Sequence, residues 1–206
     1  MIRALSRAMS ARDGMTHQHA ERVQRYAVAL ARHAGACSDS MIAAIATAAL
    51  LHDIGKLGVP DSLLHKPGPL TPEEYDQVKQ HVILGADMLS AVPFEGPLVQ
   101  IVRHHHENWD GTGYPDGIRQ DAIPVGARVL AIVDCYDALT SDRPYRRALC
   151  HEQAVEMIDA RRGRMYDPVI AEAFLRIVDC LRSAGPKPTR DWLPTRTLWL
   201  RDARAT

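Results

Sequence analysis

The sequence predicts an all-α fold, a bundle of about seven to eight helices with no substantial sheet. Three observations point there. Apolar residues recur at helical spacing through residues 16–181, capping and breaking residues fall at the ends of those runs, and no strand-like run interrupts them.

Residues 1–13 are short and arginine-bearing and read as a helical lead-in. Residues 16–34 place Val23, Ala27, Leu30 and Ala31 on one face, with arginines opposite. Ser38 and Asp39 can cap a second helix, whose run over residues 41–51 is apolar nearly all round and therefore buried. Gly55, Gly58 and Pro60 break it, and Pro67-Gly68-Pro69 makes a rigid turn. Thr71-Pro72-Glu73-Glu74 opens the next helix with a cap, a first-turn proline and first-turn acids. A helix over residues 98–106 ends at the Asp110-Gly111-Thr112-Gly113 loop, and Pro124 begins a long apolar helix through Leu139. Residues 151–161 and 168–181 supply two more. Residues 183–206 carry Pro186, Pro188 and Pro194 without amphipathic period, while Trp192, Leu198, Trp199 and Leu200 predict partial docking of this tail. The expected organisation is a lead-in (1–15), one domain (16–182) and a tail (183–206).

With 206 residues, 46% apolar and 24% charged, the chain suits one globular domain. Lys+Arg and Asp+Glu are both 25, so no global basic surface invites DNA or RNA, and phosphate recognition must be local. Four cysteines lie far apart without a C-x-x-C pair, and neither a signal-peptide core nor a run of ~20 apolar residues is visible. The expectation is a cytoplasmic, soluble protein with reduced thiols and no membrane insertion.

Six segments carry metal-ligand residues or their neighbours: His19, His52-Asp53, His81, His104-His105-His106, the turn over residues 110–115, and Asp134. Imidazole and carboxylate donors suit a divalent first-row metal, Fe or Mn first, with Zn, Co and Ni as alternatives. Seven ligands exceed one tetrahedral ion but suit two ions sharing a carboxylate. Asp53 closes a greasy helix and Asp134 lies deep in another, where an unpaired charge is costly. Adjacent helical residues diverge by ~100°, so only two of the three consecutive histidines can reach one centre. Single histidines such as His17, His33, His65 and His151 read as solvated or capping groups. Lys56 lies three residues beyond Asp53, placed for a substrate phosphate. Arg143, Arg146 and Arg147 gather guanidinium groups that match phosphate oxygens. In the glycine-bent loop, Tyr114 offers a ring face or a hydroxyl to a ligand.

Together these motifs resemble the HD-GYP domain, a subgroup of the HD phosphohydrolase superfamily. The matching elements are H-x-x-R-V (His19 to Val23), L-L-H-D-I-G-K-L-G-V-P-D (Leu50 to Asp61), K-P-G-x-L-T-x-E-E (Lys66 to Glu74), H-H-E-x-x-D-G-x-G-Y-P (His105 to Pro115) and A-R-V-L-A-I-V-D-x-Y-D-A-L-T-S-D-R-P-Y-R (Ala127 to Arg146). The resemblance implies an HD-domain helical bundle that hydrolyses cyclic di-GMP to pGpG and, in some members, on to GMP. It also implies that one metal takes His19, His52, Asp53 and Asp134, and a second takes His81, His105, His106 and the shared Asp53, with His104 outside. Lys56 matches the lysine beside the scissile phosphate, and Arg143 and Arg146 match phosphate-holding positions. Gly113, Tyr114 and Pro115 form the loop implicated in contacts with ligand and with diguanylate cyclase domains; a homodimer is a further expectation. Members with three metals carry a glutamate where this chain has Met15, so a binuclear site is expected. In the mechanism so implied, a hydroxide bridging the two ions attacks phosphorus in line with the departing ribose 3′ oxygen. The alternatives are an HD phosphohydrolase for another nucleotide and a non-hydrolysing cyclic di-GMP sensor or cyclase-interaction module.

Overall fold

The computed structural model describes residues 2–13, 17–35, 38–94, 96–142 and 147–183. Among them the chain is helical, with no strand beyond an isolated bridge between Arg162 and Tyr166. The helices are α1 (Ile2–Asp13), α2 (His17–His33), α3 (Asp39–Leu51), the single turn α4 (Asp61–Leu64), α5 (Pro72–Lys79), α6 (His81–Ser90), α7 (Leu98–His104), α8 (Val125–Thr140), α9 (His151–Asp159) and α10 (Pro168–Ser183). Short 3-10 turns cover Ile54–Gly58 and Gln120–Ala122. The tail from residue 184 onward, Met15, Cys37, Arg143 and Arg146 lie outside the described residues.

α3 is the axis of the bundle and packs against α1, α2, α7 and α8. Ile42, Ala44 and every residue from Ile45 to Leu51 are buried, and the alanines allow neighbouring backbones to approach closely. Asp39–Gly58 is long and apolar enough to cross a membrane by composition, yet 72% of that stretch is buried inside the protein, as a core helix should be. Leu30 of α2, Ile101 of α7, Leu130 and Ile132 of α8 and Phe174 of α10 close the same core. Met9 brings α1 onto it, and Arg12 hydrogen-bonds Asp61 and the carbonyls of Leu57 and Val59. The lead-in is therefore tied to the segment that follows His52-Asp53.

Two helix starts follow the sequence closely. Ser38 accepts from the amide of Met41, and Thr71 with Glu74 forms a reciprocal capping box at α5. One boundary differs from the expectation, and one break has no local signal. The helix expected over residues 98–106 stops at His104, leaving His105 and His106 in a turn, because the following loop folds back against them. α5 and α6 are separate helices broken at Gln80, without any glycine or proline to announce the break. His151 is not solvated: its ring joins the hydroxyl of Tyr136 at 2.9 Å to Asp179 at 2.7 Å, linking α8, α9 and α10.

Gly55 matters because α6 crosses directly over it. A Cβ there would stand 1.8 Å from the carbonyl oxygen of His81 and 2.4 Å from the amide of Gly85. Gly35, by contrast, has φ of +67° and open space around it. In urea unfolding, Gly55→Ala is expected to cost ~3 kcal/mol or more, through backbone collision. Gly35→Ala should cost only about 1–2 kcal/mol, from left-handed strain. The reverse order would mean that the α6 crossing is looser than described.

Candidate metal centre

Three helices end at one place. His52 follows the last residue of α3, His105 follows the last residue of α7, and His81 lies two residues beyond the end of α5. The last carbonyls of a helix lack intrahelical donors, and each histidine uses one of them. Nδ1 of His52 donates to Ala49 O (3.0 Å), that of His81 to Val78 O (2.8 Å) and that of His105 to Val102 O (2.7 Å). A carbonyl only accepts, so the proton sits on Nδ1 and the neutral ring turns its Nε2 lone pair inward. Each of these Nε2 atoms is buried without a hydrogen-bond partner, and so is that of His19. The negative ends of the α3 and α7 dipoles border the same space, which favours a cation there.

His19 reaches the site from α2 and is aimed differently. Its Nδ1 meets Asp137 Oδ2 at 2.6 Å, and Arg22, one turn along α2, grips the same carboxylate at 2.5 and 2.8 Å. The Nε2 of His19 then faces Asp134 Oδ1 at 3.4 Å, one turn before Asp137 on α8. A carboxylate behind a histidine whose other nitrogen is free is the arrangement that orients metal ligands.

Asp53 stands between two groups of donors. Its Oδ2 lies 3.4 Å from His52 Nε2, and its Oδ1 lies 3.6 Å from His81 Nε2. His19, His52 and Asp53 form one set, and His81, His105 and His106 another, with donor atoms inside each set within 4.8 Å of one another. Asp134 Oδ1 adjoins the first set, 3.6 Å from His52 Nε2, and its side chain keeps 21% exposure. The two sets touch, His52 and His105 ring centroids being 5.2 Å apart. Lys56 Nζ donates to Asp53 Oδ2 at 2.9 Å. Nitrogen and oxygen donors of this kind fit a divalent first-row ion.

The electrostatics divide along the same line. Burial would raise the Asp53 carboxyl, but the Lys56 ammonium, with His52 and His81, holds it well below the usual range. Burial likewise opposes ionisation of Asp134, and the proximity of His52 and His19 draws it down. Burial also works against a charge on His52, yet Asp53 and Asp134 overcome it and push the ring up to about 9. A proton on His52 Nε2 and a cation would compete for the same place, so a metal bound there would release a proton. In the histidine-rich set burial dominates, lowering His81 and His105 and bringing His106 down to about 4. Those rings are neutral, as ligands must be.

The loop after α7 forms one wall. Glu107 is buried, and its Oε1 accepts from the amides of Asp116 (2.7 Å) and Gly117 (3.0 Å). Arg103 clamps Asp116 through two bonds of 2.8 Å. Gly113 is obligatory, since a Cβ would lie 2.3 Å from Asn108 N and 2.6 Å from His106 O. The Tyr114 amide bonds His106 O at 3.2 Å, and its ring leans on His106 with centroids 5.0 Å apart. His104 points away, both nitrogens engaged by Gln100 O and Asp116, each at 2.9 Å.

The fold thus brings His19, His52, Asp53, His81, His105, His106 and Asp134 together with Lys56 and Tyr114, and leaves His104 outside. Asp137, Arg22 and Glu107 carry positions that motif reading left without a role. Their signals were present: Arg22 lies three residues after His19, Asp137 three after Asp134, and Glu107 directly after the histidine run.

Comparison with known proteins identifies the family. A family model described as HD domain matches residues 3–170. The chain is 42% identical over 170 residues to a cyclic di-GMP phosphodiesterase of Thermotoga maritima, covering 81% of this chain and 45% of that protein. It is 42% identical over 176 residues to the cyclic di-GMP phosphodiesterase response regulator RpfG of Xanthomonas campestris pv. campestris (84% and 46%). A 3′3′-cGAMP-specific phosphodiesterase 2 of Vibrio cholerae is 37% identical over 179 residues (85% and 34%). The chain therefore spans less than half the length of these relatives. Among solved structures, a cyclic GMP-AMP-specific phosphodiesterase of Vibrio cholerae superposes with a TM-score of 0.66 at 18% identity, covering 88% of this chain and 49% of that one. The HD domain of the Listeria monocytogenes phosphodiesterase PgpH does so with 0.56 at 18% identity, covering 86% and 97%. At that identity the likeness concerns the fold alone. The chain belongs to the HD-domain family, as its resemblance to the HD-GYP subgroup implied.

Proposed function

We propose that the chain is a metal-dependent phosphodiesterase that opens cyclic di-GMP to pGpG. The observation that carries this reading is the set of four buried imidazole Nε2 atoms without hydrogen-bond partners, of which those of His19, His52 and His81 lie within 3.6 Å of Asp53 or Asp134. One ion held by His19, His52, Asp53 and Asp134, and a second by His81, His105, His106 and Asp53, would use each of these donors once and Asp53 twice. Fe or Mn suits such a mixture best. When bound, the ions supply an activated water and neutralise charge on the phosphoryl oxygens. Relatives named for cyclic di-GMP and 3′3′-cGAMP support a cyclic dinucleotide as substrate.

The protein's own residues supply positioning and charge. Asp137 and the backbone carbonyls fix the imidazole rings. Lys56, held beside Asp53, stands next to the phosphate being cut and can pass a proton to the departing 3′ oxygen. Addition of water to phosphorus with cleavage of the bond to that oxygen leaves a 5′ phosphate and a free 3′ hydroxyl. Arg143 and Arg146 are assigned to the remaining phosphate oxygens, and Gly113, Tyr114 and Pro115 to the substrate wall. With Met15 in place of an additional carboxylate, the reaction stops at pGpG more readily than it proceeds to GMP.

Two outcomes test this reading. Protein loaded anaerobically with Fe or Mn should convert cyclic di-GMP to pGpG. Asp53→Ala should lower turnover about 10³-fold and reduce bound metal, whereas Arg143→Ala and Arg146→Ala should raise KM with metal content unchanged. Intact cyclic di-GMP beside consumption of a mononucleotide would refute the substrate assignment. Separately, Asp137→Ala should lower metal affinity about 10- to 100-fold through the misdirected His19 ring. Asp137→Asn, which keeps an acceptor, should recover part of it; unchanged metal titrations for both variants would remove Asp137 from the site.

A further inference from the structure

We propose that Tyr75 and Lys79 of α5 form, with Tyr114, a platform that receives one base of the substrate and favours guanine over adenine. This rests on the cyclic dinucleotide reading above. Neither residue belongs to the two donor sets described above.

Tyr75 is 48% exposed, a large aromatic ring left open to solvent at the edge of the site. Its ring stands edge-on to Tyr114, with centroids 6.4 Å apart and planes at 80°. The Lys79 ammonium lies over both rings, 5.3 Å from the centre of Tyr75 and 5.8 Å from that of Tyr114. Tyr114 in turn leans on His106, so an aromatic row runs outward from a candidate metal ligand. A lysine and tyrosine four residues apart on a helix can pair simply to stabilise it, for a few tenths of a kcal/mol. That role would not require the third partner, Tyr114, from a loop 39 residues further along the sequence.

The platform is rigidly placed. The capping box at Thr71 and Glu74 fixes the start of α5, and Lys66 reinforces it with a 2.6 Å contact to Glu74. At the other end the Val78 carbonyl holds the ring of His81. Tyr75 and Lys79 are therefore in register with a metal ligand two residues beyond Lys79.

The chemistry matches a purine with acceptors on its edge. A base stacks on an exposed aromatic face whatever its identity. Guanine then presents O6 and N7, both acceptors, whereas adenine pairs N7 with an amino donor. The ammonium lies between the two rings, has donors only, and keeps some of its three hydrogens after pairing with Asp76. A guanine edge meets it favourably and an adenine amino group does not.

The test compares metal-loaded wild-type protein, Tyr75→Ala, Tyr75→Phe and Lys79→Met on cyclic di-GMP and cyclic di-AMP, with metal content measured for each. Tyr75→Ala is expected to raise KM for cyclic di-GMP about 10-fold or more at wild-type metal content, and Tyr75→Phe to restore it. Lys79→Met should lower the ratio of kcat/KM for cyclic di-GMP over cyclic di-AMP about 10-fold. KM and ratio within twofold of wild type would overturn the platform and leave the phosphodiesterase reading standing. A parallel loss of kcat and metal would overturn it too, assigning α5 a purely structural role. Wild-type protein that cleaves bis(p-nitrophenyl) phosphate but no cyclic dinucleotide would overturn both readings together.

Discussion

Orientation of the imidazole rings by the ends of helices is the constraint on which the site depends. A helix that stops leaves carbonyls without donors, and α3, α5 and α7 stop facing one another. Each terminal carbonyl takes the Nδ1 proton of a histidine just past the helix end, so the opposite nitrogen of each ring turns inward as a lone pair. The termini of α3 and α7 lend partial negative charge to the cavity. Buried nitrogens without hydrogen-bond partners, set beside two carboxylates, are costly until a cation joins them. The arrangement suits a cation, and the same pull of Asp53 and Asp134 raises the His52 ring to about 9.

Packing explains why the rings converge. The near-uniform burial of α3 makes it the reference to which α2, α7 and α8 are docked, so its terminal His52-Asp53 is carried to the centre of the molecule. Gly55 then lets α6 cross close enough for His81 to face Asp53. Arg22 and Asp137 aim His19 from the far side. The wall beyond the rings is held by Glu107, Asp116 and Arg103, which keep Tyr114 against His106 without taking part in the donor set.

Much of the helical order was legible because local chemistry marks it. Ser38, Thr71 and Glu74 cap as their residue types suggest, and the absence of a polar face over residues 41–51 reveals burial. The candidate ligands were legible because histidine and aspartate at the ends of apolar runs have few other reasons to be there. What escaped is what depends on distant partners. The stop of α7 at His104 is set by the return of the loop at Gly113, and the break at Gln80 carries no local signal. The pairing of His19 with Asp137 joins residues 118 positions apart, so the spacing that sets Asp137 beside Asp134 does not reveal which histidine it holds. The contacts of His151 are of the same kind, since Tyr136 and Asp179 come to it from two other helices.

The central claim is that the carboxylate of Asp53 joins two neighbouring cation sites, one oxygen toward each. Anomalous diffraction at the manganese edge from crystals grown anaerobically with Mn tests it most directly. Two peaks are expected, one among His19, His52 and Asp134 and one among His81, His105 and His106, with Asp53 touching both. A single peak distant from Asp53, or His81 and His105 turned away from any metal, would contradict it.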